Sequence, residues 1–419
     1  LDITKKQNWL LVALLNFVVV ALLGLLLRWQ VVSPFAGINY KYLLHAHSHV
    51  ALLGWLYPAC FVALLYAYLP VNLRSKPTYA WQFWLSQGAV LGMLLSFPLQ
   101  GYGAVSITFS TLHILLSYWF VYRFLKDAKA AKVVAGKYKV SFRFIKAALF
   151  FLVLSTLGPW AMGPIMGTGN SGTELYFNAI YFYLHFLYNG WFTFVVLGLL
   201  CWLLEKYKID FNKKYSQLFF RLMCWACFPA YLLSVLWIKP PTIVYFIGGT
   251  AALAQVIALG LLISMLRPLR KQLLALFTGW VRVLFLLAAT AFVFKVLMQF
   301  TSAFPYVANL AYTFRNFIIG YLHLVLIGFV SFFILAFFVQ LRWLSMQKRV
   351  SRWGVGLFIL GFISSESILF LQGILNWLGY GSLPGYLLLL FSVSTLMPVG
   401  LLLFLVGQVK AIQRYSPSS

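Results

Sequence analysis

The sequence predicts an all-α polytopic membrane protein: twelve transmembrane helices in a pseudo-threefold arrangement of four-helix units, with N and C termini cytoplasmic. Three observations carry this expectation: an extreme apolar composition, a series of separate apolar runs of spanning length, and a one-sided distribution of basic residues. Hydrophobic residues make up 63% of the 419, charged residues only 9%, and the mean hydropathy is +0.90. A water-soluble domain of this length exposes far more charge.

A hydrocarbon core about 30 Å thick needs roughly 20 apolar helical residues. The first run, 9–28, is long enough to span and lacks a small-residue cleavage site, so it reads as a span and not as a removed signal. Runs at 42–69, 80–97 and 103–125 follow it. The next four are 142–163, 175–203, 215–237 and 243–266. The last four are 273–299, 311–340, 353–376 and 384–408.

Twelve spans put both termini on one side. That side collects Lys5 and Lys6, the Arg74/Lys76 turn, eight cations between Arg123 and Lys146, the basic stretches 206–214, 267–271 and 342–352, and the C-terminal tail. Of 32 Lys and Arg, only Arg28, Lys41, Lys239, Lys295 and Arg315 fall toward the other end. Cations concentrate on cytoplasmic loops, so the expected location is a bacterial-type cytoplasmic (inner) membrane. The net charge of +26 then reports topology and attraction to anionic membrane lipid, with no nucleic acid as partner. The four cysteines, Cys60, Cys201, Cys224 and Cys227, lie in apolar segments and form no disulfide scaffold. No GxGxxG, P-loop or HExxH pattern stands in a fitting context.

All six histidines lie on even-numbered runs: His45, His47 and His49 on the second, His113 on the fourth, His185 on the sixth and His323 on the tenth. Each stands about 6–20 Å past its run's outer end at 1.5 Å per residue. A single layer in the outer half of the membrane therefore holds every imidazole. Imidazole can stay neutral and still ligate a metal. A repeat accompanies the layer. His49-VALL-Gly54-Trp55, His185-FLYN-Gly190-Trp191 and His323-LVLI-Gly328-Phe329 share the form H-x4-G-aromatic, at spacings of 136 and 138 residues. His113-ILLS-Tyr118-Trp119 is a looser copy, and Gln255-VIAL-Gly260 keeps the phase with glutamine. Within one transmembrane domain, 1–419, the expected internal repeats are therefore 9–125, 142–266 and 273–408. The motif glycines read as close helix-packing points.

Twelve spans with histidines in the outer halves of spans 2, 6 and 10 resemble subunit I of the haem–copper oxidase and nitric-oxide reductase superfamily. The segments "LLHAHSHVALLGWLY" and "GYLHLVLIGFVSFF" look like that family's helices 2 and 10. The "HAHSH" start is also similar to the NnrS-type haem- and copper-containing membrane proteins tied to nitric-oxide stress. The resemblance implies a haem protein, with one or two haems, b-type, and possible copper. It places His49 (or His45) and His323 on either side of a haem, His185 at a helix-6 metal position, and Arg315 and Lys41 among the cations available to propionates. Electron transfer or nitric oxide/oxygen chemistry would follow, with an electron donor that is a quinol or a cytochrome and possible additional subunits; an enzyme of this kind would be an oxidoreductase. The chain departs from the family in offering His323 alone where helix 10 carries HxH, and no histidine pair on run 7.

The residues leave some choices open. On a helix, residues four apart share a face, so His45 and His49 point together and His47 nearly opposite. His45 could join His185 or His113 around a second metal, while His47 is expected to meet a neighbouring helix or the interface. Cys224 and Cys227 share a face, and their position near mid-span does not clearly match the histidine layer, so they read as core residues. Glu366 is the only acid deep in the bilayer, marking a possible proton path or a polar pairing. The alternative function is a metal-ion or proton-coupled transporter or channel using the same histidine layer.

Overall fold

The computed structural model describes residues 2–34, 36–133 and 136–412; the tail beyond 412, counted above with the inner cations, lies outside them. Helix accounts for 85% of the chain, with no strand among the described residues. Among the described residues, eleven helices are long and apolar enough to cross a membrane: α1 Lys5–Val32, α2 Tyr40–Tyr68, α4 Ala104–Ala130, α5 Lys139–Gly167, α6 Glu174–Lys206, α7 Lys213–Ile238, α8 Thr242–Leu276, α9 Gly279–Thr301, α10 Arg315–Gln340, α11 Arg349–Trp377 and α12 Tyr386–Val409. The remaining expected run, 80–97, lies in α3, Pro77–Gln100, a helix of 24 residues. It carries no charge, but Gln82, Ser86 and Gln87 lower its hydropathy, and Gln82 and Ser86 are buried. The chain is thus a multi-pass helical membrane protein.

Helix starts follow ordinary capping chemistry. Asn39 accepts from the Lys41 and Tyr42 amides ahead of α2, Thr173 from Tyr176 ahead of α6, and Asn212 from Tyr215 ahead of α7. The helices group into two compact units, one formed by residues up to Ala131 with those from Phe337 on, the other by Lys132–Ala336. The third expected repeat, 273–408, contributes to both.

The first unit is stitched at its basic loops by the few acids available. Asp127 accepts from Lys76 at 3.0 Å, Tyr79 at 2.9 Å and Arg123 at 3.1 Å, and Asp2 accepts from Arg74 at 2.8 Å. Its interior is aromatic: Trp9 stacks on Phe83 at 4.7 Å and Phe17 on Trp55 at 4.3 Å. Helices α11 and α12 pack backbone against backbone at Gly354 and Gly400, where a Cβ on either would stand 2.5 Å from the other helix's backbone nitrogen. Small residues at such crossings let backbones approach where no hydrophobic force drives association. In the second unit, the Glu205 carboxylate accepts from the Val140 and Ser141 amides, tying the end of α6 to the start of α5.

Three helices share an irregularity. Each of α2, α6 and α10 changes from α to π geometry on the residue after its motif histidine: Val50–Leu56 after His49, Phe186–Phe192 after His185, and Leu324–Ser331 after His323. At each exit an amide donates five residues back, Tyr57 to Leu52, Thr193 to Tyr188 and Phe332 to Ile327. π turns are rare and concentrate at functional positions. A neighbouring helix holds the first in place. Asn16 of α1 donates to the Gly54 carbonyl at 2.8 Å and to Gln87 Oε1 at 2.7 Å, joining α1, α2 and α3. Replacing Asn16 with leucine should cost about 1 kcal/mol, the scale of interhelical hydrogen bonds in lipid. Thermal melting of the purified chain reads this; an unchanged midpoint would show that the bridge adds no net stability.

Candidate functional site

In the first unit the histidines of α2 divide as a helix requires. His47 faces α1: its Nδ1 donates to the Val20 carbonyl at 3.1 Å, and its ring packs on Gly24. His49 and His45 lie on the other side, against Phe97 and Tyr102. The His49 ring is 4.2 Å from Phe97, and the His45 ring 4.6 Å from Tyr102. His49 Nδ1 approaches the His45 carbonyl at 2.9 Å. A carbonyl only accepts, so Nδ1 carries the proton, and in the neutral ring the lone pair is on Nε2. This is how ligating histidines are usually held, with one nitrogen tied to a backbone oxygen and the other presented to the metal.

His113 of α4 is 2% exposed, and its Nε2 has no hydrogen-bond partner. The Tyr57 ring meets it edge-on at 4.7 Å, and His49 lies within electrostatic reach. Tyr57 is eight residues past His49. The corresponding hydroxyls in the other copies, Thr193 and Ser331, close their π turns by donating to the Tyr188 and Leu326 carbonyls, each at 2.7 Å. The motif therefore extends to a hydroxyl at position eight, a regularity the histidine–glycine pattern alone had missed. In the α2 copy it is a tyrosine turned toward a second histidine.

Lys41 is exposed at the start of α2. Glu366 of α11 is 7% exposed and lies within electrostatic reach of Arg28, whose guanidinium donates to Ser394 Oγ and to the Leu390 carbonyl at 3.3 Å. The deep acid therefore feels a half-buried cation, without a hydrogen bond between the two.

The second unit contains His185, His323 and Arg315. Arg315 is exposed at the first turn of α10 and His323 is half-buried. His185 is 1% exposed, with both nitrogens engaged: Nε2 with the Cys227 carbonyl at 2.8 Å and Nδ1 with Asn189 Nδ2 at 3.1 Å. Cys227 lies level with His185 of the histidine layer, since its carbonyl meets the His185 ring. It meets His185 through its backbone and not its thiol. His185 also borders a cavity of about 340 Å³ between α6, α7, α9, α10 and the short helix Pro305–Thr313. Asn189 and Gln299, which the histidine pattern does not pick out, stand on the cavity wall. Their signal was present as uncharged polar residues within apolar runs.

Among the described residues no three His, Cys, Asp or Glu side chains are grouped to hold a metal ion. All four cysteines are free thiols. Comparison with known protein families finds no matching model, and comparison with curated proteins finds no match.

Proposed function

We propose that the chain is a membrane haem protein of the haem–copper oxidase and nitric-oxide reductase type, with His49 as an axial ligand. One observation carries this reading. His49 is held by its Nδ1 on the His45 carbonyl, at the mouth of a π turn, with Nε2 left for a metal. A macrocycle supplies four nitrogens of its own, so it needs only one or two protein ligands. Among the described residues no three His, Cys, Asp or Glu side chains are grouped, and a macrocycle does not require such a group. The buried, unpartnered Nε2 of His113 is a further imidazole on the same unit.

The haem, when bound, would supply a redox-active or gas-binding iron for electron transfer or nitric oxide/oxygen chemistry. The chain's part is to fix the His49 ring through the His45 carbonyl and to give the macrocycle an apolar, aromatic wall in Phe97 and Tyr102. By the resemblance His323 is also an axial ligand, and copper remains a second possible metal of the proposal. Covalent c-type attachment does not fit, because Cys224 and Cys227 are followed by Phe228 and not by histidine. The resemblance implies a b-type haem. Twelve crossings of a cytoplasmic membrane, with both termini inside, complete the proposal; the inner-side cations support it.

The test is direct. The full chain, expressed in a haem-replete host and purified in detergent, should show a Soret band and a b-type pyridine haemochrome. A preparation that is folded but colourless would overturn the reading.

A further inference from the structure

Two cations of the second unit, Lys295 and Arg315, have no carboxylate partner among the described residues. Ion pairs there join Arg74 to Asp2 and both Lys76 and Arg123 to Asp127, all in the first unit. Lys295 of α9 is 1% exposed, and its Nζ donates to Gln299 Oε1 at 3.1 Å. Cys227 and His185 lie within its electrostatic reach, and neither is a carboxylate. Arg315 stands exposed at the first turn of α10, within electrostatic reach of Tyr181. The unit's acids are placed elsewhere: Glu205 accepts from the Val140 and Ser141 amides, and Glu174 and Asp210 are exposed. A buried ammonium without a counter-charge is costly, and intramembrane cations of this kind mark places where a ligand or ion is handled.

Both cations adjoin one cavity through their neighbours. Gln299, bonded to Lys295, and Tyr181, within reach of Arg315, stand on the wall of the cavity of about 340 Å³, and no charged residue lines it. The hydrogen bonds of the wall show where a ligand's polar end belongs. Tyr188 reaches Asn189 and Ser234, and His185 is engaged at both nitrogens. Trp237 donates to Asn178 Oδ1 at 3.2 Å, while the Thr301 and Ser302 hydroxyls donate to carbonyls of α9. Gln299 differs from these. An ammonium has no acceptor to offer, so Gln299 gives its oxygen to Lys295 and keeps its amide hydrogens for another partner. The carboxamide therefore presents N–H donors with a positive charge behind them, which suits an acceptor that is itself negative.

The rest of the wall sets the ligand's shape. Tyr188 and Tyr321 meet edge to face at 6.4 Å, and Trp237 and Tyr312 stack at 6.0 Å. Such walls favour a flat ring. The volume lies in the range of small-molecule sites. Tyr312, 50% exposed and three residues before Arg315, brings one side of the cavity to the protein surface.

We propose that this cavity binds an aromatic monocarboxylate, with the ring against the tyrosines and the carboxylate accepting from Gln299 Nε2 in the field of Lys295. Arg315 adds to that field on the side of Tyr181. A unit charge acting across one side chain favours the anion over a neutral ring of the same shape by about tenfold. This inference concerns the second unit alone and stands apart from haem ligation by His49.

Equilibrium dialysis of the full chain in a non-ionic detergent at neutral pH tests it. The probes are 2-naphthoate, the neutral 2-naphthamide and the cationic 2-naphthylmethylammonium, each corrected for uptake by protein-free micelles. Naphthoate should saturate at one per chain, about tenfold more tightly than naphthamide, with the cation weakest. Lys295→Met should remove most of that preference by weakening naphthoate, while naphthamide affinity stays within about twofold. Equal affinities for naphthoate and naphthamide in the unaltered protein would overturn the proposal, as would the absence of saturable binding. An unchanged preference in a folded Lys295→Met chain would overturn it too. If Lys295→Met does not fold, the preference of the unaltered protein still decides. Haem content is read on the same samples and should not change in Lys295→Met. Loss of haem there would assign the cation to a propionate and count against this inference, whereas a colourless chain that still prefers naphthoate bears on His49 alone.

Discussion

His49→Ala should lower the haem content of the purified chain by about tenfold or more, while His47→Ala leaves it unchanged. The two residues are two positions apart on one helix but serve different neighbours. His47 donates to Val20 of α1 at 3.1 Å and packs on Gly24, so its loss removes one interhelical bond. His49 is the histidine whose Nδ1 is already committed at 2.9 Å, leaving Nε2 to ligate. His45→Ala separates the remaining possibility. It keeps the backbone carbonyl that holds His49, so haem should persist in that variant; loss in His45→Ala with retention in His49→Ala would reverse the assignment. The pyridine haemochrome, normalised to protein, reads all three.

Gly400→Leu should damage the fold severely, costing about 3 kcal/mol. A Cβ at Gly400 would stand 2.5 Å from the Phe358 nitrogen and 2.6 Å from the Gly354 oxygen, and a Cβ at Gly354 meets Phe404 and Gly400 in the same way. Backbone atoms cannot rotate aside as a side-chain tip can, so α11 and α12 would have to separate along their contact. Gly260→Ala is the contrasting case. Nothing lies within 4 Å of its Cβ, and an alanine in a helix interior is better than glycine by roughly 0.5–1 kcal/mol. Thermal melting in one detergent should show a large fall for Gly400→Leu and a small rise for Gly260→Ala. A midpoint for Gly400→Leu near that of the unaltered protein would mean the helices do not cross so closely.

Much of the framework was legible because lipid imposes simple demands. An apolar run of sufficient length is a spanning helix unless polar residues dilute it. That dilution explains α3, where Gln82, Ser86 and Gln87 leave a 24-residue helix short of the hydropathy of its neighbours. The histidine–glycine–aromatic repeat was also visible, and two of its glycines mark close packing: a Cβ at Gly190 would stand 2.5 Å from Phe151 Cβ, and one at Gly54 2.9 Å from Val90, whereas Gly260 of the glutamine copy has nothing within 4 Å. The separation of His47 from His45 and His49 followed from helical periodicity alone.

What stayed hidden depends on tertiary partners. Nothing in "HVALLGW", "HFLYNGW" or "HLVLIGF" announces a π turn, because a π turn uses the same residues as an α-helix with a bond one residue longer. Only the hydroxyls of Thr193 and Ser331, at the same offset in two copies, hint at it. His185 read as a metal ligand from its place in the layer. Its surroundings, a carbonyl from α7 and an amide one turn along its own helix, could not be read from spacing. The cavity beside it is assembled from segments more than 100 residues apart in sequence, such as Tyr188 and Gln299.

The central claim, that the His49 imidazole itself ligates haem, is tested most directly by the haem-to-protein ratio of His49→Gly prepared with and without imidazole. The account predicts little haem without imidazole and a restored Soret band with it, since the free ring can occupy the space vacated beside Phe97. Full haem content without imidazole would contradict it.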